Sequence, residues 1–129
     1  MTSILLVEDH KIFATALKRV LQERGQMEVL AVAESAEEAL DLLLNLKVDL
    51  VLIDVSLPHK SGINLVLNLQ KSHPHLPCVM LSAHVSQQYV RRSLEAGARG
   101  YLVKDHLTEI LDGIRRVLQG EVYVSEQIR

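Results

Sequence analysis

The sequence predicts an α/β fold: a single doubly wound parallel sheet built from five βα units. Apolar segments of strand length alternate with segments of helical periodicity, and this order favours a parallel sheet with helices on both faces. The length of 129 residues suits one domain and not two. Hydrophobic residues make up 48% of the chain but aromatic residues only 3%, so we expect an aliphatic core.

The first two units show the pattern most clearly. Residues 3–7 (SILLV) and 27–33 (MEVLAVA) are predicted strands, and Gly25 ends the helix between them. Ser35 and Glu38 form a capping box that opens the second helix. The apolar positions of the first helix follow the i, i+3, i+4, i+7, i+8 spacing of a buried helical face: Phe13, Ala16, Leu17, Val20 and Leu21.

The third and fourth units form the centre of the predicted sheet. Residues 49–54 (DLVLID) are apolar on both faces, as expected for a central parallel strand. The next elements are a helix at 63–71, a strand at 78–81 and a helix at 87–96. Ser86 is the expected N-cap of this fourth helix. Only Val90 and Leu94 give the helix strong apolar positions, so we expect it to be the most weakly packed.

The fifth unit completes the sheet. Residues 101–103 form a short predicted strand, and Gly120 ends the last helix. The helix carries one apolar stripe, made of Leu107, Ile110, Leu111, Ile114 and Leu118.

Polar side chains stand where four of the predicted strands end. They are Glu8, Asp9, Asp54, Ser82 and Lys104. Sites of doubly wound sheets form beyond the carboxyl ends of the strands, so we expect these side chains to converge. Each has an ordinary explanation when taken alone, such as a helix start, a turn residue or a surface ion pair. Their combined placement favours one shared site.

The charge of this cluster indicates its chemistry. Three neighbouring carboxylates repel one another, and a hard cation that prefers oxygen ligands, such as Mg²⁺, relieves that repulsion. Asp54 can then act as a carboxylate nucleophile and form an aspartyl phosphate. Mg²⁺ and Lys104 would neutralise charge on the transferring group, and the Ser82 hydroxyl would hydrogen-bond the product phosphate.

Four segments that carry these residues resemble the motifs of the receiver domain of bacterial two-component response regulators. The resemblance covers the whole chain, and four motifs in the family's order are far more specific than any one of them. They are LLVEDH at 5–10, DVSLPHKSGINL at 54–65, MLSAH at 80–84 and GYLVKD at 100–105.

The resemblance implies a flavodoxin-like (receiver) topology and a role for each site residue. Asp54 would be the phosphoacceptor. Mg²⁺, for which Mn²⁺ can substitute, would be held by Glu8, Asp9, Asp54 and the backbone carbonyl of Ser56. The phosphate-binding and switch residues would be Ser82, Ala83, Lys104 and Tyr101. In such receivers the hydroxyl at Ser82 moves toward the phosphate, the aromatic ring at Tyr101 turns inward, and the surface of helix 4, strand 5 and helix 5 changes.

The resemblance also implies partners. The phosphoryl donor would be a sensor histidine kinase or a phosphotransfer protein, and the only reactions expected are self-phosphorylation and autodephosphorylation. GYLVKD and the ending GEVYVSEQIR resemble the NarL/LuxR-type subfamily, whose members usually carry a helix-turn-helix transcription output. We therefore expect a receiver domain at 1–120 and the start of a linker at 121–129, with the output domain outside this chain; the alternative is a stand-alone receiver. A monomer that dimerises on phosphorylation is expected, through helices 1 and 5 or through helix 4 and strand 5.

Two further residues, Ser56 and His84, stand two positions after Asp54 and Ser82. Our hypothesis is that they set the rate of dephosphorylation by admitting or orienting the attacking water.

Three other functions fit the sequence less well. A flavodoxin needs a hydroxyl- and glycine-rich phosphate loop after its first strand, where Glu8 and Asp9 would repel the cofactor phosphate. A haloacid-dehalogenase-type phosphatase carries its nucleophile after its first strand and a second Asp two residues later, where this chain has Ser56. A pseudo-receiver that only binds partners tends to lack one or more of the five site residues, and all five are present.

The composition argues against further classes. The net charge of −2, without a long run of one sign, argues against a nucleic-acid surface in these residues. We find no signal peptide and no stretch long enough to span a membrane. The single Cys78 is expected to be a buried hydrophobe in a reducing compartment, so we predict a cytoplasmic protein. His73 and His75 have no third histidine or cysteine nearby, and a solvated loop is expected there instead of a zinc site.

Overall fold

The computed structural model describes residues 1–84 and 86–129, which form one parallel sheet with helices on both faces. The strands are β1 (Thr2–Val7), β2 (Met27–Ala33), β3 (Leu50–Asp54), β4 (Cys78–Ser82), β5 (Gly100–Val103) and β6 (Tyr123–Val124). The helices are α1 (Lys11–Arg24), α2 (Ala36–Leu43), α3 (Gly62–Ser72), α4 (Gln87–Ala96) and α5 (Leu107–Leu118), and a 3-10 turn (Glu126–Ile128) follows β6.

The strand order is β2-β1-β3-β4-β5-β6, and every neighbouring pair is parallel. Strand β3 lies between β1 and β4, and all five of its residues are buried, which confirms the prediction of a central strand. The predicted fold class is confirmed, with one strand more than expected. No helix among the described residues is long and apolar enough to cross a membrane.

The sheet separates two aliphatic cores. Successive residues of β3 alternate between them, because neighbouring side chains of a strand point to opposite faces: Leu50 and Leu52 join the core under α1 and α5, while Val51 and Ile53 join the core under α2, α3 and α4. Only Tyr101 and Tyr123 contribute aromatic rings to the buried part of the described core.

The helix starts follow the predicted capping chemistry. Ser35 Oγ accepts a hydrogen bond from the Glu38 amide at 3.1 Å, and Ser86 Oγ accepts one from the Tyr89 amide at 3.3 Å. The Glu38 carboxylate accepts a hydrogen bond from the amide of Glu34 instead of from the amide of Ser35, so the capping box is incomplete.

Helix α4 buries only Ser93 and Ala96, fewer residues than any other described α-helix, which agrees with its expected weak packing.

The segment after α5, where we expected a linker to start, contains a short strand and a 3-10 turn. Strand β6 adds to the edge of the sheet beside β5, and Ser125 Oγ accepts a hydrogen bond from the Val103 amide at 3.0 Å. The side chain of Ile128 is only 3% exposed and joins the same core as Tyr101. Gln87 Nε2, at the start of α4, donates to the Ile128 carbonyl at 2.7 Å. Residues 123–128 are therefore packed against the domain in this structure.

Candidate functional site

The five polar side chains predicted to converge lie at the carboxyl edge of the sheet. Asp54 is the last residue of the central β3, Glu8 and Asp9 follow the neighbouring β1, and Lys104 follows β5. The Lys104 Nζ atom lies 2.8 Å from Glu8 Oε1 and 3.1 Å from Asp54 Oδ2. These side chains lie close together because the parallel topology brings the carboxyl ends of all strands to one edge of the sheet.

Burial and hydrogen bonding act in opposite directions on the pKa of each of the two central carboxyl groups. Glu8 is 1% exposed and Asp54 is 2% exposed. Burial raises the pKa of Asp54 from 3.8 to about 6, although the hydrogen bond from the Ser56 amide opposes the increase. Burial also acts to raise the pKa of Glu8, but hydrogen bonds from Lys104, Asp54 and His10 outweigh it and lower that pKa. Asp54 therefore takes up a proton more readily than Glu8.

His10, to which the sequence analysis assigned no function, lies next to the acidic cluster. His10 Nδ1 is 2.7 Å from Glu8 Oε2, 3.4 Å from Asp9 Oδ1 and 3.6 Å from Asp54 Oδ2. The hydrogen bond with Glu8 raises the pKa of His10, and the charge of Asp9 adds to the increase. His10 is also the N-cap residue of α1, but its side chain makes no capping hydrogen bond. The ring instead faces the carboxylates.

The donor set fits a hard divalent cation. One ligand atom from each of Glu8, Asp9, His10 and Asp54 lies within 4.8 Å of the others. Asp9 Oδ1 is buried without a hydrogen-bond partner among the described residues, and Glu8 Oε1 is paired with the Lys104 ammonium at 2.8 Å. Three carboxylates with free oxygen lone pairs match the ligand preference of Mg²⁺. The imidazole is a softer ligand and adds less for this ion.

The loop after β3 folds closely against Asp54. The Ser56 amide donates to Asp54 Oδ1 at 3.0 Å, and the Gly62 amide donates to the Val55 carbonyl at 3.0 Å. A Cβ atom on Gly62 would lie 2.2 Å from the Asp54 carbonyl oxygen, so any larger residue would force the chain apart. The glycine thus lets α3 begin directly beside Asp54.

The expected switch residues lie around this centre. Ser82 is 3% exposed, and its Oγ donates to the His84 carbonyl and accepts from the His84 amide, both at 3.0 Å. Tyr101 is fully buried, and its hydroxyl makes no hydrogen bond to the described residues. Burial raises the pKa of Tyr101, and the nearby Ser82 hydroxyl opposes the increase. The aromatic ring that was expected to turn inward is thus already enclosed.

Solvent reaches the site past exposed residues. Ser56, Ala83 and His84 are exposed at its rim. Beside them opens a groove of about 810 Å³. It is lined by His10, Lys11, Ile12, Phe13, Ala16, Ala83 and Lys104. The Lys104 ammonium therefore lies between the buried carboxylates and an open, mostly apolar groove.

Comparison with known proteins identifies what this arrangement is similar to. Residues 4–115 match the family model described as the response regulator receiver domain. The response regulator GacA of Pseudomonas viridiflava is 36% identical over 129 residues, which are 99% of this chain and 60% of GacA. The chain thus spans about 60% of the length of this curated relative.

Solved structures give the same result. The crystal structure of a LuxR-family two-component response regulator from Aurantimonas sp. SI85-9A1 is 28% identical with a TM-score of 0.94, over 99% of this chain and 93% of that one. The signal receiver domain of the putative response regulator NarL from Mycobacterium tuberculosis is 26% identical with a TM-score of 0.86, over 93% of this chain and 98% of that one.

Proposed function

This chain belongs to the response regulator receiver domain family, and on that premise we propose that it accepts a phosphoryl group on Asp54 in a Mg²⁺-dependent reaction. It is a signalling domain of the NarL/LuxR type. The observation that carries the assignment is the position of Asp54: a buried carboxylate at the end of the central strand, 3.1 Å from the Lys104 ammonium and beside Glu8.

The proposed reaction is a displacement at phosphorus. A carboxylate oxygen of Asp54 forms a bond to the phosphorus atom of a phosphohistidine. The bond between phosphorus and the donor imidazole breaks, and the imidazole leaves with the electron pair and takes a proton from solvent. Asp54 must be ionised to attack, and Lys104 stabilises the negative charge on the transferring oxygens.

We assign the metal to Glu8, Asp9, Asp54 and the Ser56 backbone carbonyl. When bound, Mg²⁺ would screen the carboxylates from the incoming anionic group. Around it, Glu8 holds the Lys104 ammonium at 2.8 Å, and the Ser56 amide orients Asp54 through Oδ1. In autodephosphorylation, a water that enters past the exposed Ser56 and His84 would attack the phosphorus atom; the bond between phosphorus and the Asp54 oxygen breaks, and the carboxylate and inorganic phosphate are released.

The switch begins at Ser82 in this proposal. Its hydroxyl must leave the turn with His84 before it can donate to a phosphate oxygen. That movement changes the start of α4, the least buried α-helix, while Tyr101 fills the space behind it. A phosphoryl group adds about −1.5 to −2 charges, which is enough to bias such a two-state element.

The partners belong to the same proposal. The donor is a sensor histidine kinase or a phosphotransfer protein, and phosphorylation promotes homodimerisation. The relatives are longer than this chain, which supports a separate helix-turn-helix output as the element that contacts DNA. A cytoplasmic location, with no membrane contact, is what we propose for a domain of this type.

Intact mass measured after incubation with acetyl phosphate tests the central assignment. The parent chain should gain one phosphoryl group with Mg²⁺ and none without it. Asp54→Asn should gain none, while Asp49→Asn, which removes a carboxylate that contacts Ser3 away from the site, should behave as the parent does. No adduct on the parent, together with an NMR spectrum unchanged by beryllofluoride and Mg²⁺, would favour a pseudo-receiver that only binds partners.

A further inference from the structure

We propose that Phe13 is a positioning residue for phosphoryl transfer, because its ring holds the Lys104 ammonium in place by a cation–π contact. Lys104 Nζ lies 4.9 Å from the centroid of the Phe13 ring. Phe13 belongs to the first turn of α1 and Lys104 follows β5, so the fold alone brings the two together. This inference rests on the proposed function, which assigns Lys104 to the transferring group.

The ring is a third neighbour of the ammonium, beside the two carboxylates. Lysine has three N–H donors, and Lys104 already lies beside Glu8 Oε1 and Asp54 Oδ2. Its side chain is 12% exposed and borders the apolar groove, into which a flexible lysine could swing. An aromatic face attracts the cation within about 6 Å without supplying a competing negative charge.

This attraction would matter most during the transfer. During the transfer, the Lys104 ammonium exchanges a contact with a carboxylate for a contact with a phosphoryl oxygen, so its anionic partners change. The Phe13 ring packs against the core under α1 and α5 and therefore stays next to the ammonium throughout. Ordering a lysine side chain has an entropic cost, and a ring that already confines it lowers the cost at the moment of reaction.

The ordinary explanation is that Phe13 only fills space at the edge of that core. The two explanations differ in what they require of residue 13. Filling space requires apolar volume, which Leu supplies, whereas the cation–π contact requires an aromatic face, which Tyr keeps and Leu lacks. Phe13→Leu and Phe13→Tyr therefore separate them.

The experiment measures the affinity for beryllofluoride, at saturating Mg²⁺, by NMR titration of the 129-residue chain. Phe13→Leu should weaken the affinity about three- to tenfold, and Phe13→Tyr should stay within about twofold of the parent. Val20→Ala removes other partly buried apolar volume from α1, away from Lys104, and should leave the affinity unchanged. Mg²⁺ affinity without beryllofluoride should change little in all three variants.

A second readout reports the contact itself. The ε-methylene protons of Lys104 should show a ring-current shift in the parent and in Phe13→Tyr, and lose it in Phe13→Leu. An unchanged beryllofluoride affinity in Phe13→Leu, or a parallel loss of Mg²⁺ affinity, would overturn the proposal. If the parent takes up neither beryllofluoride nor phosphate, the proposed function itself fails, and the ring-current shift shows only whether the contact exists.

Discussion

Lys104 Nζ donates a hydrogen bond to Asp54 Oδ2 at 3.1 Å, across the carboxyl edge of the sheet. The same ammonium lies 2.8 Å from Glu8 Oε1, so one cation serves two buried carboxyl groups. Burial is the main cause of the raised pKa of Asp54, and the neighbouring Glu8 carboxylate adds to it, while the single Lys104 ammonium only partly opposes the increase. The carboxylates can bind a divalent cation, and the Lys104 ammonium can contact an anionic group at the same time.

The stability of the domain should depend on pH through Asp54. Its pKa rises from 3.8 to about 6 on folding. Between these values the folded chain binds more protons than the unfolded chain, so the free energy of unfolding falls as the pH rises from about 4 to 6 and then levels off. Without Mg²⁺, the free energy of unfolding of the parent should fall by about 1–3 kcal/mol more than that of Asp54→Asn as the pH rises over this range. Urea unfolding at each pH measures it, and parallel curves for the two proteins would contradict the raised pKa.

His10 should oppose metal binding at acidic pH. Its pKa is raised chiefly by Glu8, and a protonated ring then competes with a cation for the same carboxylates. His10→Asn is expected to bind Mg²⁺ about three- to tenfold more tightly at pH 6.5, and the difference should shrink at pH 8.5. Calorimetric titration measures the affinity, with the exposed His75→Asn as a matched control. Weaker binding by His10→Asn would instead make the imidazole a ligand.

The C-terminal segment should contribute to stability. Ile128 is 3% exposed, and Val122 nearby is 63% exposed. Ile128→Ala is expected to lower the free energy of unfolding by about 2–4 kcal/mol, because it removes buried methylene groups and leaves a cavity. Val122→Ala should change it by less than about 0.5 kcal/mol. Equal stability of both variants and the parent, measured by chemical denaturation, would support the linker that the sequence suggested.

The lifetime of the phosphorylated state should respond to the two exposed rim residues. Ser56→Gln places a longer side chain beside the phosphoryl group, and His84→Ala removes a ring that can orient water. Each is expected to lengthen the lifetime by about tenfold, which is about 1.4 kcal/mol in activation free energy. The measurement is the loss of the phosphoryl mass after the donor is removed, with Ser72→Ala as a control. Equal lifetimes in all four proteins would end the rate-setting hypothesis.

Much of the fold was predictable because its signals are local. Strand lengths, helical periodicity and caps such as Ser35 and Ser86 act over a few residues, and the elements of the five predicted βα units start and end within one or two residues of the predicted positions. The meeting of Asp54 and Lys104 was also predictable, since a parallel sheet brings the carboxyl ends of its strands to one edge. The sequence by itself therefore determined the five βα units and the meeting of the five predicted polar side chains at one edge of the sheet.

Tertiary structure decided what depends on distance and burial. These include the burial of Ile128 in the core that contains Tyr101, the approach of His10 to Asp54 and the contact of the Phe13 ring with Lys104. None of these pairs has a sequence spacing that carries a periodic signal. Strand β6 is only two residues long, too short for an alternating pattern to reveal it. The pKa of Asp54 likewise depends on how far the folded chain excludes water from the carboxyl group, which is a property of the packed domain and not of any local segment.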